Sequence, residues 1–226
     1  MKIGIVYTST TPELIADVRK QVCTQLGDGV IFHEQQDPSI LAEVREAGYV
    51  TAPPAARLIT MYMNAVSEGC DAILNVCSSV GEVADCAQSA AAYLGVPIIR
   101  IDQEMCREAA RLGARIGIIA TLQTTMEPTI RTVKREARSI GRFPEIIPCL
   151  VEGAFGLDQE AFKERMSASA QTIADSVDVI VFAQGSMAYC ESFIADRYHK
   201  IVLSSPRFGA AALKQALISK GVIRDA

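Results

Sequence analysis

The sequence has 226 residues, with 22 Lys and Arg against 26 Asp and Glu, so its formal net charge is −4. This balance lacks the basic footprint needed to bind nucleic acid or an anionic membrane surface. Half of the residues are hydrophobic and 21% are charged, a composition typical of a packed globular protein. Its apolar runs are shorter than the roughly 20 residues that span a bilayer. Met1–Tyr7 shows no signal-peptide pattern, and we expect a cytoplasmic protein.

Eight short apolar segments alternate along the chain with helical, Ala-rich stretches. Because they are apolar at nearly every position, they predict parallel sheets with helices on both faces. Such an alternation defines an α/β fold. The predicted strands are Lys2–Tyr7, Val30–His33, Ala72–Val76, Pro97–Ile101, Arg115–Ala120, Glu145–Leu150, Val179–Ala183 and Lys200–Ser204.

The two halves of the chain resemble each other. Lys2–Val6 is similar to Arg115–Ile119, and Asp71–Leu74 is similar to Asp178–Val181. The nearly constant offsets indicate two four-stranded parallel units. We expect the first domain to comprise residues 1–102 with 206–226, because the last helix returns to it, and the second to comprise 103–205.

A hydroxyl-rich turn follows the first predicted strand of each unit. The sequences Thr10-Thr11-Pro12-Glu13 and Thr124-Thr125-Met126-Glu127 both match the capping-box pattern, which predicts simple helix capping. Helix N-termini that carry hydroxyls also bind carboxylate or phosphate groups. Both interpretations can hold at once.

Polar residues also follow the third predicted strand of each unit, where parallel sheets bind ligands. The repeat aligns Cys77-Ser78-Ser79 with Gln184-Gly185-Ser186. If the halves face each other about a pseudo-twofold axis, these turns converge on one cleft. Cys77 precedes a predicted helix, Glu82–Leu94, whose dipole would favour the thiolate. The alternative is an inert buried Cys, as expected for most of the seven cysteines, which form no CxxC pair or metal-ligand spacing.

The paired units, hydroxyl turns and strand-end Cys resemble the aspartate/glutamate racemase superfamily. This superfamily includes hydantoin and allantoin racemases, maleate cis–trans isomerase and arylmalonate decarboxylase, and the resemblance covers essentially the whole chain. It implies a cofactor-independent enzyme with its active site in the cleft between two pseudosymmetric Rossmann-like (flavodoxin-like) units. Racemases of this group place one Cys at each of the two strand ends. Here Cys77 matches the first position, but Gln184 stands at the second.

The resemblance also implies substrate-binding residues on both units. Hydroxyls and amides of the two turns would hold a substrate carboxylate, and groups at the two strand ends would lie beside the reacting carbon. Tyr7 stands where amino-acid racemases commonly carry an acidic residue that supports the thiol. The implied binding residues are Ser9, Thr10, Ser78, Ser79, Thr121, Thr124, Thr125, Gly185 and Ser186.

These observations lead to the hypothesis of a racemase- or isomerase-type enzyme that acts on a small carboxylate with Cys77 as acid, base or nucleophile. An amide cannot exchange a proton near neutral pH, so Gln184 disfavours a two-base racemase. The alternatives are a single-Cys decarboxylase or lyase and a non-catalytic carboxylate-binding protein. We expect no metal, cofactor, nucleic-acid or membrane partner, and homo-oligomerisation remains open.

Overall fold

A computed structural model describes residues 1–224, which form strands and helices in regular alternation. The strands are β1 (Lys2–Tyr7), β2 (Ile31–Gln36), β3 (Ala72–Asn75), β4 (Ile98–Arg100), β5 (Arg115–Ala120), β6 (Glu145–Leu150), β7 (Val179–Phe182) and β8 (Ile201–Leu203). The helices are α1 (Pro12–Leu26), α2 (Pro38–Ala47), α3 (Ala52–Ser67), α4 (Gly81–Tyr93), α5 (Gln103–Leu112), α6 (Gln123–Ser139), α7 (Gln159–Ile173), α8 (Glu191–Tyr198) and α9 (Ser205–Ser219).

The strands form two four-stranded sheets with the orders β2-β1-β3-β4 and β6-β5-β7-β8. Every neighbouring pair in both sheets is parallel, which confirms the predicted α/β class and the two parallel sheets. The prediction of strands buried on both faces is wrong for β2 and β6, which lie at sheet edges and stay partly exposed. The predicted strand Val30–His33 ended too early, because β2 continues to Gln36 by pairing with β1.

The chain divides into two compact units. Unit 1 contains Met1–Ile101 together with the residues from Pro206 onward, and unit 2 contains Asp102–Ser205. In unit 1, α9 places Leu213 and Leu217 in the same apolar cluster as Leu14 of α1. The last helix therefore completes the core of the first unit.

Two apolar clusters cover opposite faces of the unit 1 sheet. Val6 and Ile73 pack with side chains of α2, α3 and α4, whereas Ile5 and Leu74 pack with side chains of α1 and α9. Successive residues of a strand point to opposite faces, so this division follows directly from the sequence order. Both inner strands of unit 1 are consequently enclosed by helices.

The repeated Asp at the start of the third strand has the same function in each unit. Asp71 Oδ2 accepts a hydrogen bond of 2.9 Å from the amide of Lys2. Asp178 Oδ2 accepts bonds of 3.0 and 2.8 Å from the amides of Ala114 and Arg115. Each carboxylate fixes the start of the third strand to the start of the first, which explains why the repeat is visible in the sequence.

Over residues 1–224, no helix combines the length and the apolar character needed to cross a membrane.

Candidate active site

The two third strands end in the same backbone register. The amide of Val76 donates to the carbonyl of Val6 at 2.9 Å, and the amide of Ala183 donates to the carbonyl of Ile119 at 2.9 Å. Cys77 and Gln184 each follow the residue that makes this bond. They therefore occupy equivalent positions, as the sequence repeat predicts.

In unit 1 the strand end turns directly into a helix. Cys77 has an extended backbone, a single 3₁₀ turn covers Ser78–Val80, and α4 begins at Gly81. The Cys77 side chain is half-buried against the cluster beneath α3 and α4, while Ser78 and Ser79 are almost fully buried. A thiol just before a helix N-terminus lies in a field that favours its anionic form.

A buried hydrogen-bond chain holds the backbone at Cys77. Tyr62 donates its hydroxyl to Asn75 Oδ1 at 2.9 Å, and Asn75 Nδ2 donates to the Cys77 carbonyl at 3.0 Å. Burial raises the pKa of Tyr62 well above its usual value, so its hydroxyl stays protonated as a donor. Sequence reasoning missed both residues, although an Asn that ends an otherwise apolar strand was an available signal.

The equivalent side chain in unit 2 is bound at both ends. Gln184 Oε1 accepts from the amide of Thr121 at 2.7 Å, and Gln184 Nε2 donates to Thr121 Oγ1 at 2.7 Å. These two bonds connect the ends of β7 and β5. Because Thr121 Oγ1 accepts from Gln184, its hydroxyl proton is left to donate elsewhere.

Cys190 does not supply a second thiol beside Gln184. It ends the 3₁₀ segment Gly185–Cys190, in which Gly185 and Ser186 are half-buried, and its own side chain is fully buried in the unit 2 core. Burial raises the pKa of the Cys190 thiol to about 11. Cys190 is therefore protonated at neutral pH and unsuited to acid–base exchange.

The first hydroxyl turn caps its helix, as the sequence predicts. Thr11 is the N-cap of α1, because Thr11 Oγ1 accepts from the amide of Leu14 at 3.3 Å. Thr10 Oγ1 donates to the Thr11 carbonyl at 3.2 Å, and Ser9 and Thr10 are half-buried. Pro12 at the first helical position makes the preceding Thr11, rather than Thr10, the cap.

The second hydroxyl turn is not a capping box. Helix α6 begins at Gln123 after Leu122, which makes no side-chain cap, so Thr124 and Thr125 lie inside the first helical turn. Thr125 is almost fully buried. Thr124 Oγ1 is buried and has no hydrogen-bond partner in the structure. The expected capping is thus absent, and a buried hydroxyl is left at the helix start.

Thr8 is a further hydroxyl that sequence reasoning missed. It directly follows β1, it is fully buried, and its Oγ1 has no partner in the structure. Unpaired buried hydroxyls are uncommon and point to a missing partner such as water or a ligand. The signal in the sequence was a hydroxyl residue immediately after an apolar strand.

Tyr7 lies on the opposite face of the unit 1 sheet from Cys77. Its ring is buried with the side chains of α1 and α9, and its hydroxyl donates to Glu34 Oε1 at 3.4 Å. Burial and the Glu34 carboxylate raise its pKa above the usual value. Tyr7 therefore does not take over the thiol-supporting role of the acidic residue found in amino-acid racemases.

The chain belongs to the Asp/Glu/hydantoin racemase family, whose model matches residues 3–213. A sequence comparison with curated proteins finds no significant match.

Solved racemase and isomerase structures share the fold at low sequence identity. Glutamate racemase isoform RacE1 from Bacillus anthracis has a TM-score of 0.74 and 14% identity, over 99% of this chain and 84% of that one. Allantoin racemase from Klebsiella pneumoniae has a TM-score of 0.63 and 16% identity, over 98% of this chain and 89% of that one. Maleate isomerase Iso from Pseudomonas putida S16 has a TM-score of 0.59 and 14% identity, over 96% of this chain and 92% of that one.

Proposed function

We propose that this protein is a cofactor-independent isomerase of the racemase type, which acts on a small carboxylate with Cys77 as its reactive thiol. The observation that carries the proposal is the difference between two equivalent strand ends. One presents a half-buried thiol before a helix N-terminus, and the other presents an amide whose two polar ends are bound to Thr121. Only the first position offers a group that exchanges protons near neutral pH.

Unit 2 supplies the features of a carboxylate anchor. The α6 N-terminus has no side-chain cap, and Thr124 Oγ1 beside it is buried without a partner. Free helix amides and a hydroxyl together are a natural site for an anion. Thr121 adds a hydroxyl proton, and Thr125, Gly185 and Ser186 complete the proposed unit 2 binding set. In unit 1 the corresponding set is Ser9, Thr10, Ser78 and Ser79, to which the structure adds Thr8.

Two reactions need only one thiol. In the first, the Cys77 thiolate takes the α-proton, the C–H electron pair moves into the carboxylate as an enediolate, and the S–H, after exchange with solvent, returns a proton to the same face. This exchanges the α-hydrogen with retention, and it inverts the centre only when the planar carbon turns its other face to Cys77. In the second, the thiolate adds to a cis double bond, the C–C bond rotates, and elimination releases the trans isomer and the thiolate. Both build negative charge on the carboxylate oxygens, where fixed donors stabilise it.

A panel assay tests this proposal. The two enantiomers of aspartate and of glutamate, and maleate, are each incubated with the protein in D₂O and followed by NMR. We expect α-deuteration of an amino acid or conversion of maleate to fumarate, and we expect both to vanish in Cys77→Ala. Full activity in Cys77→Ala would refute the role of the thiol.

A decarboxylase of the same family is the second candidate, because protonation of an enediolate after loss of CO₂ also needs one proton donor. Adding α-methyl-α-phenylmalonate to the panel distinguishes it: release of CO₂ with a single enantiomer of 2-phenylpropionate as product would identify the decarboxylase. Tight binding of a carboxylate without turnover of any of these compounds would instead identify a binding protein.

A further inference from the structure

Unit 1 contains a charged pair that has no counterpart in unit 2. Arg100 ends β4, its side chain is completely buried, and its Nη1 lies 2.7 Å from Asp85 Oδ2 on α4. An arginine this deeply buried is rare and costly unless it is paired and hydrogen-bonded. The complete burial of Arg100 therefore calls for a reason beyond packing.

The guanidinium of Arg100 lies against the start of α4. A Cβ added to Gly81 would lie 2.4 Å from Arg100 Cζ and 2.4 Å from Nη2, so only glycine leaves room for the charged plane. Gly81 directly follows the 3₁₀ turn that begins after Cys77. Arg100 thus packs against the backbone that ends the Cys77 turn.

A second route connects Arg100 with Cys77. Arg100 pairs in register with Asn75 in the sheet, and Asn75 Nδ2 donates to the Cys77 carbonyl at 3.0 Å. Tyr62, which donates to Asn75, has a pKa that burial raises most, that Cys77 and Asp85 raise further and that Arg100 lowers. All three groups therefore lie within electrostatic range of one hydroxyl.

Unit 2 lacks this arrangement at every equivalent position. The strand pairings align Asn75 with Phe182 and Arg100 with Ser204, which follows Leu203 of β8. Continuing the same register past the strand ends brings Gly81 to Ala188. Ser204 donates its hydroxyl to Glu191 and carries no charge. The buried cation and the glycine that admits it thus occur together with the thiol, and both are absent where Gln184 replaces it.

We propose that Arg100 is a positioning residue for Cys77: it holds the Cys77–Gly81 turn and supplies a buried positive charge that favours the thiolate, with Asp85 moderating that charge. The proposal deepens the proposed function and rests on it for the use of the thiol. Around the turn, the ionisable groups are Tyr62 on α3, Glu82 and Asp85 on α4, and Arg100 on β4. Glu82 is exposed to solvent, so its charge is screened.

The thiol itself can be measured without turnover. The rate of iodoacetamide alkylation of Cys77 is measured by peptide mass spectrometry over a range of pH. The pH dependence of this rate gives the apparent pKa of the Cys77 thiol. Cys23 on α1 serves as the internal reference, because α1 packs on the other face of the sheet. The variants are Arg100→Met, Arg100→Lys and Asp85→Asn, with Glu82→Gln as the matched control.

Removing the cation and removing its partner should have opposite effects. Arg100→Met should lower the thiolate fraction of Cys77 at pH 7 by about tenfold, whereas Asp85→Asn should raise it and Arg100→Lys should restore most of it. Glu82→Gln and the Cys23 reference should change little. If the pair is only structural, Arg100→Met and Asp85→Asn will loosen the turn alike and shift Cys77 in the same direction, which would overturn the proposal.

Two further outcomes keep the test decisive. If Arg100→Met fails to fold, Asp85→Asn alone decides: a higher thiolate fraction supports the proposal, and an unchanged or lower one overturns it. An active Cys77→Ala variant would end the proposed function but would leave these alkylation shifts to be judged separately.

Discussion

The strand ends after β3 and β7 share one backbone register and differ in almost every side chain. At the first, the polar groups of Tyr62 and Asn75 hold the backbone of the turn and leave the Cys77 thiol half-buried. At the second, Gln184 itself is the structural element and uses both ends of its amide on Thr121. The same fold position thus carries a half-buried thiol in one unit and a hydrogen-bonded amide in the other.

This comparison teaches that a duplicated fold does not imply a duplicated site. Unit 1 has the buried Arg100 and the glycine that fits it, whereas unit 2 has an uncapped helix with the unpartnered Thr124 hydroxyl. The equivalent turns differ accordingly, because the turn of unit 1 carries a thiol and the turn of unit 2 carries only amide and hydroxyl groups.

The largest effect should come from the thiol itself. We expect Cys77→Ala to lower kcat by about 10³-fold or more, because Cys190, the other thiol of the equivalent turns, is buried and its pKa is raised to about 11. The unfolding free energy should change little, since the side chain is only half-buried. Cys190→Ala is the matched control: it should lower stability through a core cavity and leave kcat within about twofold. A fall in kcat for Cys190→Ala as large as for Cys77→Ala would contradict this assignment.

The next effect concerns the glycine beneath Arg100. Gly81→Ala should cost about 3 kcal/mol of unfolding free energy in urea titrations, because its Cβ would collide with a buried guanidinium. In an Arg100→Ala background the same change should cost much less. The matched change in unit 2 is Ala188→Gly, which we expect to lower the free energy of unfolding by only about 1 kcal/mol. Equal costs of Gly81→Ala in both backgrounds would show that Arg100 does not set the requirement for glycine.

Breaking the two hydrogen bonds between Gln184 and Thr121 should have a moderate effect on stability. Gln184→Ala leaves the buried amide of Thr121 unpaired and should cost about 1–3 kcal/mol of stability. Gln184→Glu keeps an acceptor for that amide, but its second oxygen takes the Thr121 hydroxyl proton and adds a negative charge. We therefore expect Gln184→Glu to raise KM for a carboxylate with a smaller loss of stability. An unchanged KM would show that the Thr121 proton does not meet the substrate.

The smallest effects separate the two hydroxyl turns. Thr11→Val removes a helix cap and should cost about 1 kcal/mol of stability without changing carboxylate affinity. Thr124→Val removes a buried hydroxyl that has no partner, so stability should be unchanged while carboxylate affinity falls about tenfold. Thermal melts and calorimetric titration measure the two quantities. Loss of stability alone in Thr124→Val would show that it serves the helix and not a ligand.

The sequence predicted all eight strands of the two sheets, and three of them with their exact bounds. β1, β5 and β6 have the predicted bounds, but β2 extends through the polar Glu34–Gln36 because pairing with β1, and not hydrophobicity, defines an edge strand. Of the two predicted caps, the one at α1 is confirmed and the one at α6 is absent. Threonines at a helix start can act as a cap or as first-turn residues, and only the chain path into the helix decides.

The site was predictable in its positions and not in its interactions. The repeat aligned Cys77 with Gln184, because each residue follows the equivalent hydrogen bond at the end of its strand. No local pattern reveals that Gln184 reaches Thr121, or that Arg100 lies on Gly81, because these contacts join residues distant in sequence. Long-range pairs of this kind carry no periodic signal.

The stereochemical course of proton exchange tests the central claim most directly. The claim is that Cys77 is the one acid–base group of the two equivalent strand ends. An amino acid that exchanges its α-proton in the panel assay is incubated with the wild-type protein in D₂O, and the product is analysed by chiral chromatography with mass spectrometry. We predict that deuterium enters from a single face, giving one labelled enantiomer with retention. Rapid appearance of deuterium in both enantiomers would show that a second group replaces the missing thiol, and it would contradict the account.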